Sequence, residues 1–438
     1  MMTQDPIYAS QARPWLKYYD QKYIEQTIPT VSAFEYVCQR NKNHLNDTAL
    51  DYYGRKFTYA DLIVNVKKTA AALRGVGVQK GDIITVVSVM TPEVIALFYA
   101  ADMIGATLNL VDPRYSVEGI HEYIEEVDSH LLVCLNVVYE RCRQAAKRTN
   151  VEKVIVLSPA DSLPPVMAVG YRLTTPDKNK YASNAIRWKQ FIANGKNQST
   201  AAEPYDPDHA CVVVHTGGTT GSPKGVMLTH RNILNNGFYI GEGQKLGAED
   251  RVCLPVPFFH CFGCVLGVMA CLTHRCTMLI VEEFNAELVL QALDKEKATA
   301  VYGVPTMFIA ELNHPDFDSF DLSHLRTGIM AGSPCPPETM REVMERMNMR
   351  DVTICYGLTE TSPVFTQTSV DDDIPHKCET VGRAHPPVEV RVLDVNDGHI
   401  CEPGEHGELC CKGYNVMKGY YKMPEETAKA IDKNGFLH

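Results

Sequence analysis

The chain has 438 residues, of which 45% are apolar and 22% charged, and this size predicts two or three packed units of a globular protein. Its formal net charge is −11, and no block of clustered Lys or Arg occurs. Nucleic acid and anionic membrane surfaces are therefore poor candidates for the main partner, and small-molecule chemistry is favoured.

The N-terminal segment has no apolar run after a basic one, so no secretory signal is expected and a cytoplasmic location is predicted. Residues 83–111 form the longest apolar region, but Thr91-Pro92-Glu93 and Asp102 interrupt it. This pattern predicts a strand, a helix and a strand rather than an integral membrane segment. Fifteen cysteines predict reduced thiols packed as small apolar side chains, and this is favoured over a zinc site at Cys261 and Cys264.

The predicted elements alternate between strands and helices, which is typical of α/β layers with largely parallel strands. A strand over 83–88 precedes a helix that Thr91 caps and Gly105 ends, and further strands are expected at 107–111, 154–157 and 211–215. Residues 158–208 are rich in proline and polar residues and predict a loop-rich connection.

The strand and helix rhythm resumes after residue 208, with strands expected at 251–255, 277–281, 300–303 and 353–355. Short strands at 389–394 and 407–412 flank the Asn396-Asp397-Gly398 turn and predict a small β-rich unit. We therefore expect three subdomains, over residues 1–207, 208–380 and 381–438.

The strongest chemical signal follows an apolar strand and reads His215-Thr216-Gly217-Gly218-Thr219-Thr220-Gly221-Ser222-Pro223-Lys224-Gly225. Its glycines allow backbone N–H groups to converge on an anion, its hydroxyls add donors, and Lys224 adds a positive charge. A flexible linker needs neither the lysine nor the preceding strand. A Walker A loop has Ser or Thr after its lysine, whereas Gly225 follows here. The segment therefore predicts a triphosphate site other than the usual P-loop.

This segment, together with Val226-Met227-Leu228-Thr229-His230-Arg231-Asn232, resembles the phosphate-binding signature of the adenylate-forming superfamily, the acyl-CoA synthetase, AMP-binding or ANL enzymes. Further segments resemble that family in its order along the chain. Residues 257–263 and 303–306 are similar to its acid pocket, 331–334 to its adenine-side loop, 356–361 to its adenine, phosphate and magnesium signature, and 404–421 to its β-rich end.

The resemblance covers roughly residues 48–438 and is weak over 158–208. It implies an α/β fold, the family's large N-terminal domain, with two layered α/β subdomains and a small distorted β-barrel subdomain. Relatives usually continue with Thr-Gly-Asp, a hinge and a small C-terminal lid domain. Since the sequence stops at His438 without these, it is expected to bind ATP or an acyl adenylate but to ligate poorly.

The resemblance also implies roles for individual residues. Those implied in catalysis are Lys224, Thr359 and Glu360, and those implied in holding Mg²⁺ are Thr220 and Glu360. Those implied in binding ATP are Thr216, Gly217, Gly218, Thr219, Thr220, Gly221, Gly332, Ser333, Pro334, Cys355, Tyr356, Gly357 and Leu358. Those implied in binding the acid are His260, Phe262, Gly263, Tyr302, Gly303, Val304, Thr361 and Ser362.

The chemistry of these side chains agrees with the implied roles. Tyr356 offers a flat face to a purine, Thr359 a hydroxyl to a phosphate, and Glu360 an oxygen ligand to Mg²⁺. His260 is interpreted as part of the pocket wall rather than as a proton donor. Glu405 and Glu408 are interpreted as solvated turn residues.

The family's reaction is the activation of a carboxylic acid with ATP to an acyl adenylate, followed by transfer to a thiol. The amino-acid sequence around residues 381–428 is most similar to bacterial fatty-acyl-CoA ligases. This resemblance implies a fatty or other hydrophobic acid with coenzyme A as the co-substrate. An aryl-acid ligase, an adenylation domain that loads an acyl carrier protein, and a non-catalytic nucleotide-binding module are the alternatives. A P-loop NTPase would instead release inorganic phosphate.

Overall fold

Two large, mostly parallel β-sheets organise the chain in the computed structural model, which describes residues 12–25, 29–217 and 223–438. The strands, in chain order, are β1 (Thr48–Tyr52), β2 (Arg55–Thr58), β3 (Ile83–Val87), β4 (Thr107–Val111), β5 (Leu131–Leu135), β6 (Lys153–Leu157), β7 (Ala185–Arg187), β8 (Ala210–His215), β9 (Gly225–Thr229), β10 (Arg251–Leu254), β11 (Thr277–Ile280), β12 (Ala300–Gly303), β13 (Thr327–Met330), β14 (Asp351–Thr353), β15 (Cys355–Tyr356), β16 (Thr366–Gln367), β17 (Arg383–Ala384), β18 (Glu389–Leu393), β19 (Glu408–Lys412) and β20 (Gly419–Tyr420).

Helices cover the faces of these sheets. In chain order they are α1 (Gln21–Ile24), α2 (Ala33–Asn41), α3 (Tyr59–Gly75), α4 (Pro92–Met103), α5 (Val117–Val127), α6 (Tyr139–Ala145), α7 (Pro165–Thr174), α8 (Trp188–Asn194), α9 (His230–Gly243), α10 (Ala270–His274), α11 (Ala286–Lys295), α12 (Pro305–Leu312), α13 (Pro337–Arg346), α14 (Ile374–Glu379) and α15 (Pro424–Ala430). A π-helix spans Phe262–Met269, and short 3₁₀ turns occur at Pro14–Tyr18, Asn136–Val138, Pro159–Asp161, Phe317–Ser319 and Thr359–Thr361.

The first sheet has the strand order β20-β9-β8-β4-β3-β5-β6-β7, and the second has the order β14-β13-β12-β10-β11-β1-β2. Neighbouring strands are parallel except at β20-β9, β9-β8 and β1-β2. The layered α/β architecture predicted from the sequence is confirmed. Because parallel strands need crossover connections, the helices lie on the faces of the sheets.

The sheets do not follow the boundary that the sequence predicts at residue 207. β8 and β9 lie after it but pair into the first sheet, whereas β1 and β2 lie near the N-terminus but pair into the second. Strand partners are chosen by tertiary packing across long stretches of chain, which a segment-by-segment interpretation cannot detect. The boundary predicted at residue 207 does not separate the two large sheets, and the division into three subdomains stays a prediction.

The unit between residues 83 and 111 forms as predicted. Thr91 Oγ1 accepts a hydrogen bond from Val94 N over 3.3 Å, Pro92 begins α4, and Gly105 lies just after it at φ +70°. Every residue of α4 is buried, since the helix packs against α2 and α3. No described helix is both long and apolar enough to span a membrane.

The connection over 158–208 is more regular than predicted, because it contains α7, β7 and α8. Trp188 and Phe191 of α8 are buried and tie this segment to the core, while α7 buries only Ala168. Two of the prolines that suggest loops, Pro164 and Pro165, lie at the N-cap and the first position of α7, where the missing N–H costs nothing.

The short strands β15 to β19 form two small antiparallel sheets, β15-β16-β17 and β18-β19, of which β15 and β16 lie before residue 380. All fifteen cysteines are free thiols, and most are buried, including Cys261 and Cys264. The interpretation of the cysteines as packed, reduced side chains is therefore confirmed.

Candidate active site

The loop predicted to bind phosphate is closed at its base by two antiparallel strands, with His215 of β8 opposite Gly225 of β9. Thr216 N donates to Lys224 O, and Lys224 N donates to Thr216 Oγ1, both over 3.1 Å. Gly217 is exposed, with open space where a Cβ would stand. Four predicted loop residues lie outside the described residues, and these are Gly218, Thr219, Thr220 and Gly221.

A carboxylate that sequence reasoning missed lies beneath this base. Glu126 Oε2 of α5 is 3.0 Å from His215 Nε2, and the ring of Tyr123 lies 4.2 Å from the His215 ring. A Cβ at position 225 would come within 2.9 Å of Glu126 Oε1 and 3.0 Å of Val213 Cγ1, so the base of the loop packs closely on this carboxylate. The two partners are 89 residues apart, and no local signal connects them.

The Lys224 side chain is half-buried and reaches the segment that follows β20. Its Nζ lies 3.0 Å from Glu426 Oε2 and 4.8 Å from the centre of the Tyr420 ring. Hydrogen bonds from Lys429 and Lys224 lower the pKa of Glu426 to about 2, so this carboxylate is ionised at neutral pH. Such a surface ion pair contributes little to stability, which leaves the ammonium available to a more highly charged anion.

The second predicted motif forms a tight turn after β15. Leu358 N donates to Thr361 Oγ1 over 2.8 Å, and this hydroxyl in turn contacts Pro363 O at 2.8 Å. A Cβ at Gly357 would overlap the Pro363 carbonyl oxygen, so only glycine fits. The Ser362 hydroxyl donates to Asn415 O over 2.6 Å. The hydroxyls of Thr361 and Ser362 are thus used inside the protein, and their roles as acid contacts stay predictions.

Glu360 and Lys224 both contact the side chain of Tyr420. Tyr420 OH donates to Glu360 Oε1 over 2.7 Å, while Glu360 Oε2 has no partner among the residues that the structure describes. Burial and this hydrogen bond raise the pKa of Tyr420, so its hydroxyl stays protonated. One tyrosine therefore joins the two motifs, since its ring contacts Lys224 and its hydroxyl contacts Glu360.

Helix α9 fixes this arrangement through two buried asparagines one turn apart. Asn236 Nδ2 donates to Thr361 O over 3.2 Å and to Val364 O over 2.7 Å. Asn232 Nδ2 donates to Val416 O over 2.9 Å, just before β20. The second motif and the segment that carries Tyr420 are therefore both anchored to the helix that begins directly after β9.

The nucleotide side of the site has an open aromatic face. Tyr356 is 39% exposed, and its ring packs edge-on against Phe365 with the ring centres 5.4 Å apart. The predicted adenine-side residues Gly332, Ser333 and Pro334 form an exposed loop after β13. Leu358 is also exposed, Thr359 is half-buried, and the Cys355 side chain is buried.

The predicted acid-binding residues are only partly brought together. Tyr302 is fully buried, accepts a hydrogen bond from Gln244 Nε2 over 2.8 Å, and has its ring centre 6.3 Å from that of Phe262. His260 Nδ1 accepts from Phe262 N over 3.1 Å, and desolvation lowers the pKa of His260, so the ring is neutral at pH 7. Gly263 packs so closely on Pro257 that a Cβ would overlap its carbonyl.

A cleft of about 780 Å³ lies at the carboxyl ends of strands from both sheets. Val304 and Phe259 line it from the second sheet, and Val89 and Leu135 line it from the first. Of the predicted acid-binding residues, Val304 lies in its wall, with Gly303 directly before it in β12. Clefts outside the carboxyl ends of parallel strands are the usual binding places of α/β folds.

Charged residues that sequence reasoning did not single out line the same cleft, namely Arg114, Arg141, Glu282 and Glu283. Arg114 Nη2 lies 2.7 Å from Asp112 Oδ2, and Arg141 Nη1 donates to Pro113 O over 2.8 Å. Burial raises the pKa of Glu282 to about 7. Arg114 follows β4, Arg141 lies in α6, and the two glutamates follow β11, so only the folded chain brings them together.

The model of the AMP-binding enzyme family matches residues 37–421, which include both motifs and β20. The chain belongs to the AMP-binding enzyme family. The adenylate-forming resemblance drawn from the two motifs is thereby confirmed.

Curated relatives of the chain are named as acyl-CoA synthetases and ligases. The chain is 40% identical over 394 residues to the putative acyl-CoA synthetase YngI of Bacillus subtilis, with 87% of this chain and 70% of that protein covered. It is 35% identical to the acyl-CoA ligase sidI of Aspergillus fumigatus, with 86% of this chain and 63% of that protein covered. The chain thus spans about two thirds of the length of these family members.

Solved structures share the fold. The ATP-bound MatB of Rhodopseudomonas palustris matches with a TM-score of 0.78 at 24% identity, over 93% of this chain and 75% of that one. The N-terminal domain of FACL13 from Mycobacterium tuberculosis matches with a TM-score of 0.75 at 23% identity, over 93% of this chain and 94% of that one. The large N-terminal domain expected from the sequence is therefore a fold that these solved structures share.

Proposed function

We propose that the chain activates a fatty or other hydrophobic acid with ATP to an acyl adenylate and then transfers the acyl group to coenzyme A. The observation that carries this proposal is that Lys224 and Glu360 both contact Tyr420, while the exposed Tyr356 stands four residues before Glu360 in the same motif. A cation, an acidic oxygen ligand and an aromatic face are what the phosphates, the metal and the base of ATP need.

The first step joins two anions, and the side chains reduce their repulsion. A carboxylate oxygen forms a bond to the α-phosphorus, and the bond from that phosphorus to the pyrophosphate oxygen breaks. Lys224 and the loop N–H groups stabilise charge on the phosphoryl oxygens, and Thr359 offers a hydroxyl to the α-phosphate. In the second step the thiol sulfur bonds to the acyl carbon, AMP leaves, and the thiol proton passes to solvent.

Glu360 suits a bound Mg²⁺, because Oε1 is fixed by Tyr420 while Oε2 has no partner among the described residues. Mg²⁺ prefers few carboxylates together with substrate phosphates, and it would supply neutralisation of the triphosphate charge. The second predicted ligand, Thr220, lies outside the described residues and stays a prediction.

The hydrophobic acid is supported by the apolar part of the cleft wall, which includes Val89, Leu135, Phe259, Val304 and Met307. It is also supported by relatives named as medium-chain acyl-CoA ligases, such as human ACSF2, which is 32% identical over 401 residues. The cytoplasmic location and the choice between coenzyme A and a carrier protein stay predictions.

The proposal is tested by thermal stabilisation of the 438-residue chain with Mg²⁺ and acyl sulfamoyl adenosines of increasing alkyl length. We expect the melting temperature to rise with chain length, since a ligand at ~100 times its Kd stabilises the native state by about 2.7 kcal/mol. In the same assay with Mg·ATP in place of the sulfamoyl adenosines, Glu360→Gln should weaken the stabilisation, whereas Glu405→Gln, an identical change at an exposed turn, should not. Preference for a benzoyl analogue would favour an aryl-acid ligase, and no stabilisation by any analogue would contradict the proposal.

A further inference from the structure

Helix α7 presents an apolar stripe to solvent instead of to the core. Val166, Val169 and Leu173 are 85%, 56% and 76% exposed. Their spacing of three and four residues places them on one face, and Ala168, the buried residue of the helix, lies on the opposite face. Surface helices normally have the reverse arrangement, with the polar face outward.

The apolar surface continues beyond the helix. Met167 is exposed and shares a groove with Leu279 of β11 and the exposed Leu288 of α11. Isolated apolar side chains on a surface need no explanation, but a contiguous patch marks an interaction site. The apolar surface of α7 therefore marks a candidate interaction surface.

Basic residues without ion pairs border the stripe. Arg172, Lys178 and Lys180 are exposed, and no described carboxylate lies within salt-bridge distance of them. The nearby Asp177 is occupied by Tyr181 OH at 2.6 Å and by Arg187 at 3.7 Å. Despite the net charge of −11, three basic side chains without a described ion-pair partner therefore lie in the C-terminal half of α7 and directly after it.

We propose that α7 docks the protein on an anionic membrane surface. An apolar helix face flanked by lysine and arginine is the pattern of a helix that lies in the lipid headgroup region. The four apolar side chains of the helix expose on the order of 500 Å², whereas a stable protein dimer buries ~800 Å² on each partner. The area and the charge therefore favour lipid over a second copy of the chain.

The position of α7 relates this surface to the cleft. Tyr171 and Arg172 of α7 line one cavity together with Asn136. The next residues, Val137 and Val138, line the 780 Å³ cleft. Docking would therefore bring the cleft close to the lipid from which a hydrophobic acid would be taken. This consequence rests on the proposed function, whereas docking itself does not.

The test is co-sedimentation of the 438-residue chain with vesicles of phosphatidylcholine, alone or with roughly 30% phosphatidylglycerol, in the absence of ATP and acid. We expect binding to the anionic vesicles that decreases at high salt. The variant V166S/V169S/L173S should bind at least about tenfold more weakly, and K178Q/K180Q should lose most of the preference for anionic lipid.

The matched control is V381S/V395S, which removes two exposed valines from the β-rich region and should bind like the unchanged chain. Equal melting temperatures would show that all variants are folded. Absence of binding to anionic vesicles, or binding that V166S/V169S/L173S leaves unchanged, would overturn the proposal. A dimer in sedimentation analysis that this variant dissociates would also overturn it in favour of a second copy. Because no nucleotide is present, failure of the proposed ligase activity cannot affect the outcome.

Discussion

The two ends of the candidate site are built in different ways. At the nucleotide end, Glu360 and Lys224 come from motifs that are continuous in sequence, and buried asparagines of α9 hold the surrounding backbone. At the acid end, the cleft is an opening between strand ends, and Arg114 and Glu282 reach it from different sheets. One end depends on local backbone geometry and the other on how two sheets pack.

This difference separates two kinds of mutational effect. In the nucleotide end, a side chain either faces the ligand or supports the turn, so activity and stability should respond to different residues. At the apolar positions of the cleft wall, substitutions change volume without breaking buried hydrogen bonds, so substrate preference should change first.

The largest effect is expected from Glu360→Gln at the nucleotide end. Losing the carboxylate that would hold Mg²⁺, and with it the neutralisation of the phosphate charge, should lower the rate of adenylation by about 10²–10³-fold. The amide oxygen can still accept from Tyr420, so the free energy of unfolding should change by less than ~1 kcal/mol. Pyrophosphate release assays and urea denaturation measure both quantities, and an active variant would remove Glu360 from the mechanism.

The next largest effect concerns the free energy of unfolding. It is measured by replacing two neighbouring buried asparagines of α9 separately. Asn236→Ala should lower the free energy of unfolding by about 2–3 kcal/mol, because it leaves the carbonyls of Thr361 and Val364 without their donor. Asn235→Ala should cost only about 1 kcal/mol, since its amide donates to Arg231 O within the same helix. Equal losses in denaturant titrations would show that α9 does not anchor the turn.

At the acid end, Val304→Phe should reduce the space of the cleft. We expect KM for long alkyl acids to rise about tenfold, a cost within the range of small steric changes in apolar pockets, while the affinity for ATP stays the same. Steady-state kinetics with short and long acids decides this. A uniform rise of KM for all acids would argue that the cleft does not hold the alkyl chain.

The smallest effect concerns pH and Glu282. Burial raises the pKa of Glu282 from 4.5 to about 7, so the folded state holds a proton that the unfolded state releases between these values. The free energy of unfolding of the unchanged chain should therefore fall as pH rises from 4.5 to 7, relative to Glu282→Gln. Denaturation across this range checks the sign, and parallel pH profiles would contradict the assigned environment.

The sequence could predict the features that depend on local pattern. The strand, helix and strand over 83–111 followed from the cap at Thr91 and the glycine at 105, and both phosphate-site motifs carry their chemistry in consecutive residues. Tyr420 and Glu126 were missed because each contacts its partner across a long stretch of chain. The cleft could not be predicted, because it depends on which strands pair and where two sheets meet. The exposed apolar face of α7 was not predicted, because the prolines around this segment were interpreted as signs of a loop.

The central claim is that Lys224 and Glu360 form one nucleotide site. Its most direct test is calorimetric titration of Mg·ATP into the 438-residue chain and into Lys224→Gln, Glu360→Gln and Glu405→Gln. We predict binding of one nucleotide per chain, weakened at least about tenfold by each of the first two changes and unaffected by the third. No binding by the unchanged chain, or equal affinity in all variants, would contradict the claim.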